Sequence, residues 1–291
     1  MNPSSGKRRC LVVCGPTASG KSAAADEFSE ALSTFAILVD SMQVYREIPV
    51  ITNQARGRPA KLSGVVSVAE EWSVAQHRAA VRREAESSGG SLVLDAGTGM
   101  YLNASILDIP LAPAAPEAAR EAARLASAGE ANPRRASRAM ELEMSGGDGR
   151  GSIWGGELLY DAEILYMRPG MAFLEDSIRR RSRRIAASGM EEAEAIAAMA
   201  ASGVRVGDSV LDAIGVRELL SAAHGGLGLP EAEERMNIRT RRLAKRQIRW
   251  FDKLARSLEG RARVTVLDPS RPGEAAKRLN TMHGIIGPWS P

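Results

Sequence analysis

The chain has 291 residues, which is enough for one large domain or two modest ones with a full hydrophobic core. It is 44% apolar, but no apolar run approaches the roughly 20 residues of a membrane-spanning helix, so we expect no membrane association. The net charge is only +4. The first nine residues are polar and contain no apolar signal-peptide core, so we expect a cytoplasmic protein.

The first predicted elements are a short buried strand, Cys10–Cys14, and a helix from Ser22 to about Ser33, joined by a loop of G-x-x-x-x-G-K-S spacing. Glycines in such a loop let successive backbone N–H groups point at an anion, and the helix N-terminus adds its positive end. Lys21 supplies a mobile positive charge, and the Ser22 hydroxyl suits Mg²⁺. The pattern predicts binding of a di- or triphosphate, as in nucleotide-binding proteins. We call this segment the phosphate loop, and its predicted binding residues are Gly15, Pro16, Thr17, Ala18, Ser19, Gly20, Lys21 and Ser22.

Further strands are predicted to alternate with helices. The predicted strands are Phe35–Asp40, Leu92–Asp95, Leu159–Met167 and Arg263–Leu267. The predicted helices are Trp72–Ser87, Met100–Leu107, Met171–Ala187, Met190–Ala201, Asp208–Ala223 and 230–258, with a closing helix after Pro272. This alternation favours an α/β fold: a parallel sheet like that of P-loop NTPases, flanked by helices, with its ligands at the carboxyl ends of the strands. We therefore expect Asp40, the phosphate loop and Thr98 to converge on one crevice.

A change in composition marks an insertion. Residues 109–116 are rich in Pro and Ala, residues 116–144 are rich in Ala, Arg and Glu and read as helical, and a Gly-rich run follows. We expect a catalytic core of 1–110 and 153–291, carrying the basic C-terminal helices, and a small helical insertion domain at 111–152.

Positive charge is concentrated on helices. Residues 231–256 contain nine Lys or Arg against four Asp or Glu, and residues 179–184 contain five arginines. Arg242, Lys245, Arg246 and Arg249 share one face of an ideal helix. A polyanionic partner would explain this surface, and a solvated helix face is the alternative.

Two acidic residues are the last residues of predicted strands, and each allows several kinds of chemistry. Asp40 could hold Mg²⁺ through water, act as a general base, or cap a turn. Asp95 stands where a Walker-B acid would, which would suit a kinase or an ATPase.

Six sequence blocks occur here in the order typical of tRNA dimethylallyltransferases, and the chain resembles that isopentenyltransferase family from end to end. The blocks are GPTASGKS (15–22), DSMQVYR (40–46), GTGMYL (97–102), PRRASRAME (133–141), AIGVREL (213–219) and TRRLAKRQIRWF (240–251). The first block alone is common to many NTPases, whereas the DSMQVY and AKRQIRW blocks are much more specific.

The resemblance implies transfer of a dimethylallyl group from dimethylallyl diphosphate to N6 of the adenosine 3′-adjacent to the anticodon of tRNA. It also implies Mg²⁺ as cofactor, held by Ser22, and binding of the tRNA anticodon stem-loop, with the insertion at 111–152 contacting the tRNA. We expect the protein to be a monomer. The catalytic residues that it implies are Asp40 as general base, Thr98, and Arg181 on the diphosphate. The implied tRNA-binding residues are Asp40, Ser41, Met42, Gln43, Thr98, Arg134, Arg135, Ser137, Arg138, Gly215, Arg217, Lys245, Arg246, Gln247, Arg249 and Trp250. For Trp250 we favour a core position over a base-stacking one.

The chain departs from the family pattern in three places. The family commonly has two glycines before the threonine that matches Thr98, whereas this chain has Asp95-Ala96. Residues 50–54 replace a G-T-A-K-P-like stretch, and the insertion at 110–144 looks short. An adenylate isopentenyltransferase or a small-molecule P-loop kinase is therefore the alternative function, although neither needs the basic helix at 231–256. A protein that binds RNA without turnover is a third reading, against which the intact Lys21, Ser22, Asp40 and Thr98 argue.

Overall fold

A computed structural model of the chain describes residues 6–111, 115–127, 129, 136–137, 139–140, 143, 152–271, 273 and 284. Its centre is a six-stranded sheet with strand order β3-β2-β4-β1-β5-β6, in which every neighbouring pair is parallel. The strands are β1 Arg9–Cys14, β2 Ala36–Val39, β3 Ala60–Lys61, β4 Leu92–Ala96, β5 Asp161–Met167 and β6 Arg263–Leu267. The predicted α/β fold with a P-loop-type parallel sheet is confirmed.

Helices flank this sheet. They are α1 Lys21–Ala31, α2 Val74–Ser87, α3 Gly99–Ile106, α4 Glu117–Ala126, α5 Met171–Ser188, α6 Met190–Ala201, α7 Asp208–Leu211, α8 Val216–Ala223 and α9 Leu229–Ser257. None of the helices in the described residues is long and apolar enough to cross a membrane.

The structure differs from the predicted elements in three places. The helix predicted for 208–223 is two helices, because Gly215 has a φ of 104° and its left-handed backbone breaks the run between α7 and α8. The two-residue strand β3 was not predicted, since so short a strand has no periodicity to detect. Helix α2 begins at Val74 rather than Trp72 because Ser73 and Gln76 form a capping box at its start.

The register of the sheet places the functional loops side by side. Cys14, the last residue of β1, is level with Ala96 of β4, and Ala96 is level with Val39 of β2. The phosphate loop, Asp40 and the Gly97-Thr98 turn therefore leave three adjacent strands at the same edge. Apolar residues of β1, β4 and β5 fill the space under α1 and form one core cluster, and a second cluster lies among α5, α6, α8 and the segment 44–68.

The chain divides into two compact units, one comprising Met1–Ile106 with Leu158–Pro291 and the other Leu107–Glu157. In the second unit the Asp108 N–H donates to the Glu157 carbonyl at 2.8 Å, which joins its two ends. Helix α4 belongs to this unit, and Ala123 on it is buried. The predicted tRNA contacts Arg134, Arg135 and Arg138 lie outside the described residues, as does nearly all of the helix predicted after Pro272.

Candidate active site

The phosphate loop is held by a close approach to the neighbouring strand. A Cβ on Gly15 would lie 2.4 Å from the backbone oxygen of Met167 at the end of β5, so only glycine fits there. Gly20 has a φ of 85° and turns the chain directly into α1, whose free N–H groups face the loop. Ser19 is fully buried, and its hydroxyl has no hydrogen-bond partner among the described residues. The arrangement is that of an anion-binding loop.

Lys21 lies among charges of both signs. A Cβ added to Gly97 would come within 3.5 Å of the Lys21 Nζ and within 2.7 Å of Asp40 Oδ2, so both groups border this glycine. Burial lowers the pKa of the Lys21 amine below its ordinary value, and the carboxylates of Asp95 and Asp40 oppose that shift. The amine and the Asp40 carboxylate thus share one side of the site.

The Asp40 carboxylate is oriented by its own loop. Its Oδ1 accepts hydrogen bonds from the backbone N–H groups of Met42 at 2.8 Å and Gln43 at 3.3 Å, while Oδ2 lies beside Gly97. The Thr98 hydroxyl accepts a hydrogen bond from the Ser41 N–H at 3.2 Å, which ties the β2 and β4 loops together. Asp40 is therefore fixed opposite the phosphate loop, as the strand order predicts.

Arg181 reaches the phosphate loop from helix α5. Its guanidinium donates to the hydroxyl of Thr17. Burial lowers the pKa of Arg181 to about 10, and the nearby Arg184 guanidinium adds to the shift. Of the arginines at 179–184, Arg181 points into the cavity between α5 and the phosphate loop. Arg180 instead pairs with Asp176 on the surface.

Gln247 on α9 bridges two walls of the site. Its Oε1 accepts from the Thr17 N–H at 2.8 Å, and its Nε2 donates to the Gly97 carbonyl at 2.7 Å. Three residues further along α9, the Trp250 ring packs on Gly99, where a Cβ would lie 2.2 Å from it, and its Nε1 donates to Asn103. Trp250 is thus half-buried against α3, which holds this turn of α9 in place.

A cavity of about 150 Å³ joins these groups to an apolar wall. Its polar lining includes Thr17, Lys21, Ser22, Asp40, Gln43, Arg181, Thr240 and Gln247. Its apolar lining is Met42, Ile51, Ile185, Ala213, Ile214 and Leu243. A cavity with charged and apolar walls suits a ligand that carries a diphosphate on a short hydrocarbon.

The apolar wall was not predicted from the sequence. Ile51 packs into a notch formed by two glycines: a Cβ on Gly215 would lie 2.7 Å from its Cγ2, and one on Gly189 3.0 Å from its Cγ1. Glu192 holds the same loop by accepting the N–H groups of Val50 and Ile51 at 2.7 and 2.9 Å. No pattern in the sequence links these residues, although the isolated glycines are consistent with close packing.

The residues predicted to bind tRNA fall into two groups. Arg217 on α8 and Lys245, Arg246 and Arg249 on α9 are exposed, as is Arg242 on the same helix. Gly215, by contrast, is buried, and its N–H donates to Glu218. Ser41 is half-buried and bonds to Thr98, and Gln43 is half-buried in the lining of the cavity. Ser137 is half-buried and helical, and it belongs to the second compact unit. The exposed residues of α8 and α9 are basic, whereas Gln43 lines the cavity and Gly215 packs on its Ile51.

The chain was compared with known proteins. The model of the IPP transferase family matches residues 43–144 and 122–254. A tRNA dimethylallyltransferase of Rubrobacter xylanophilus is 55% identical over 286 residues, covering 96% of this chain and 98% of its own, and one of Streptomyces griseus is 30% identical over 292 residues, covering 88% and 91%.

Solved structures agree. The full-length tRNA isopentenylpyrophosphate transferase of Bacillus halodurans has a TM-score of 0.69 at 25% identity and covers 97% of this chain and 96% of its own. A eukaryotic dimethylallyltransferase that acts on tRNA has a TM-score of 0.73 at 18% identity, with 97% and 80% covered, and shares the fold. The chain therefore belongs to the IPP transferase family, as its six sequence blocks predicted.

Proposed function

We propose that the protein transfers a dimethylallyl group from dimethylallyl diphosphate to N6 of the adenosine 3′-adjacent to the anticodon in tRNA. The protein is a transferase of the tRNA-modifying kind, since its curated relatives are tRNA dimethylallyltransferases. The observation that carries the proposal is the single cavity in which the phosphate loop, Asp40 and an apolar wall meet.

The phosphate loop would bind the diphosphate leaving group. As the C–O bond of the donor breaks, negative charge grows on the diphosphate, and the backbone N–H groups of the loop, Lys21 and Arg181 are placed to offset it. Donors that are already oriented stabilise such charge without reorganising during the reaction. Arg181 can in addition bind two phosphate oxygens with its planar guanidinium.

Asp40 would accept the proton from the attacking amine. The N6 lone pair of adenine is delocalised into the ring, so the amine is a poor nucleophile unless a base takes its proton as the new C–N bond forms. A positioned base contributes about 10²- to 10⁴-fold to such a reaction. Because Met42 and Gln43 hold Asp40 Oδ1, we assign the proton to Oδ2, on the side of Gly97.

The apolar wall would hold the dimethylallyl group. Ile51, Ile185 and Leu243 are among the hydrocarbon side chains that line the cavity, and they offer the carbon skeleton a surface free of competing polar groups. Water excluded from this region cannot capture the allylic carbon as the diphosphate departs.

The residues present also fit Mg²⁺. The cation prefers oxygen ligands, and the cavity offers the Ser22 hydroxyl and the Asp40 carboxylate. In the described part of the chain, no group of three or more His, Cys, Asp or Glu could hold a metal ion by itself. Ser22 would hold the cation beside the phosphate loop, where it would offset negative charge on the leaving group.

The exposed basic residues of α8 and α9 would contact the anticodon stem-loop of a single tRNA bound to a monomer. An anticodon-loop adenosine must leave its stack to enter a cavity, which costs a few kcal/mol. Phosphate contacts from Arg217, Lys245, Arg246 and Arg249 would offset that cost.

One assay distinguishes this function from its alternatives. The protein is incubated with Mg²⁺, labelled dimethylallyl diphosphate, and either unfractionated tRNA or AMP. Label in tRNA supports the proposal, label in AMP alone supports an adenylate isopentenyltransferase, and label in neither contradicts both. Phosphoryl transfer from ATP to a small acceptor would instead indicate a kinase.

Asp40→Asn tests the assignment of the base. The amide keeps an oxygen for the N–H groups of Met42 and Gln43 but cannot take a proton at N6. We expect the rate of transfer to fall by about 10²- to 10⁴-fold, with the dissociation constant for tRNA unchanged within a few fold. An Asp40→Asn enzyme that transfers at the wild-type rate would contradict the assignment.

A further inference from the structure

A buried arginine lies between two carboxylates beneath the phosphate loop. Arg56 is only 8% exposed in its side chain, and its NH1 lies 3.0 Å from Asp95 Oδ2, whose side chain is 2% exposed. Its Nε and NH2 lie 3.0 and 2.5 Å from Asp26 Oδ1, and its NH2 donates to the Ser22 carbonyl at 3.4 Å. We call Asp26, Arg56 and Asp95 the buried triad.

The triad adjoins each part of the diphosphate site. Asp95 is level with Val13 at the end of β1 and lies two residues before Gly97. Asp26 is on α1, which begins in the phosphate loop, and Ser22 ends that loop. None of the three triad residues belongs to the six sequence blocks that carry the family resemblance.

Charge is the central feature of this arrangement. The triad contains two carboxylates and one guanidinium, so it has one negative charge in a region screened poorly by water. The Asp95 carboxylate raises the pKa of the Lys21 amine against the lowering caused by burial, so the triad acts electrostatically on the phosphate loop. Asp95 Oδ1 has no hydrogen-bond partner within the described part of the chain, so Arg56, which bonds to Oδ2, is the hydrogen-bonded cation of this carboxylate, and the Lys21 amine is a second cation nearby.

We propose that Arg56 is a positioning residue of the diphosphate site, which pairs with Asp95 and Asp26 and so prevents their negative charge from repelling the diphosphate of the donor. This inference rests on the proposed function, because that function makes the bound anion a diphosphate. It goes beyond that function by assigning to three residues outside the family blocks the task of setting the charge beneath the loop.

A purely mechanical role for Arg56 predicts different behaviour. If Arg56 merely ties the segment 50–59 to α1, any substitution in the triad should weaken anion binding or leave it unchanged. If the charge matters, removing a carboxylate should tighten binding, removing the guanidinium should weaken it, and removing both should restore it. Structural damage does not produce the first of these results, so the sign of the Asp95→Asn effect is the deciding observation.

Binding of inorganic pyrophosphate, measured by calorimetry on the full chain with Mg²⁺, tests the proposal. For Asp95→Asn we expect the dissociation constant to fall by about 3- to 10-fold, and for Arg56→Met we expect it to rise by about 10-fold, since each changes the triad by one charge. The double variant R56M/D95N has the wild-type charge, and its dissociation constant should return to within about 3-fold of the wild-type value.

Glu231→Gln is the matched control. Glu231 also pairs with an arginine, Arg235, at 2.7 Å, but both side chains are 55% exposed. The same change in net charge should therefore alter pyrophosphate binding by less than about 2-fold, because solvent and salt screen it.

The outcomes separate this proposal from the proposed function. If the wild type does not bind pyrophosphate, the diphosphate site itself is wrong, and both proposals are overturned. If the wild type binds but Asp95→Asn does not tighten binding, or R56M/D95N binds no better than R56M, only the role of Arg56 is overturned. Should Arg56→Met fail to fold, the sign of the Asp95→Asn effect decides by itself.

Discussion

Gln247 provides a sharp test of how the site is held together. The family resemblance implies that this residue contacts tRNA, whereas the structure shows both ends of its amide bonded within the protein, to Thr17 and Gly97. Gln247→Met keeps the length and volume of the side chain but removes both hydrogen bonds. If Gln247 braces the site, the substitution should impair binding of the donor in the absence of any RNA.

The size of the effect follows from the two groups left behind. Thr17 is 8% exposed and Gly97 is buried, so the Thr17 N–H and the Gly97 carbonyl lose their partners where water replaces them poorly. Each unsatisfied buried group costs about 1–3 kcal/mol. We expect Gln247→Met to lower the free energy of unfolding by about 2–4 kcal/mol, since the Thr17 N–H borders the cavity and can recover some hydrogen bonding to water.

Two measurements check this expectation. Urea unfolding gives the change in stability, and calorimetry gives the affinity for pyrophosphate. We expect the affinity to fall about 10-fold for each 1.4 kcal/mol of additional free energy needed to order the phosphate loop. Gln247→Glu is the informative second variant, because one oxygen still accepts from Thr17 while the other faces the Gly97 carbonyl. That contact favours the protonated acid, so Gln247→Glu should become more stable relative to wild type as the pH is lowered.

One combination of results would contradict the role of Gln247 in holding Thr17 and Gly97 together. Unchanged stability and unchanged pyrophosphate binding in Gln247→Met, together with weakened tRNA binding, would mean that the amide serves RNA recognition. Lys245→Met is the control on the same helix: its side chain is exposed, and it should affect tRNA binding alone.

Three further predictions follow from the structure. Burial lowers the pKa of His77 to about 4, so His77 is protonated near pH 6.5 in the unfolded chain but stays neutral in the folded protein. The free energy of unfolding should therefore fall as the pH drops below 6.5, by about 2 kcal/mol at pH 5. His77→Gln should abolish this pH dependence in urea unfolding. Gly15→Ala should lower the free energy of unfolding by about 1–3 kcal/mol and abolish pyrophosphate binding, because its Cβ would meet the Met167 carbonyl, whereas Gly89→Ala, which has nothing within 4 Å, should do neither. Arg242, Lys245 and Arg246 are exposed on α9, and neutralising all three should weaken tRNA binding. The slope of log affinity against log salt concentration should become smaller by up to about three units. An unchanged slope would mean that this face of α9 is only solvated.

The structure also addresses the kinase alternative raised by Asp95. In a Walker-B role the carboxylate would need to reach a cation among the phosphates, yet Asp95 Oδ2 is committed to Arg56 and the side chain is 2% exposed. A position that looks like a metal-binding acid in the sequence is therefore part of a buried ion pair. The labelling experiment with tRNA, AMP and small acceptors remains the decisive one.

Much of the site was predictable because its information is local. The glycines, lysine and serine of the phosphate loop specify a turn and a helix start within eight residues, and the strand before them specifies the edge on which they lie. The order of buried strands and helices likewise predicted a parallel sheet, and with it the meeting of Asp40 and the phosphate loop at the carboxyl ends of neighbouring strands.

Only the tertiary structure decided which distant residues complete the site. Gln247 bonds to Thr17 across 230 residues of chain, Arg56 meets Asp95 across 39, and Ile51 fits a notch made by Gly189 and Gly215. Their positions depend on how helices pack on the sheet, and neither spacing nor periodicity along one segment records that packing. The sequence thus determined the anion-binding loop and the family. The packing of helices and of the segment 50–59 against the sheet determined which charged and apolar side chains surround that loop, because those residues are far apart in the chain.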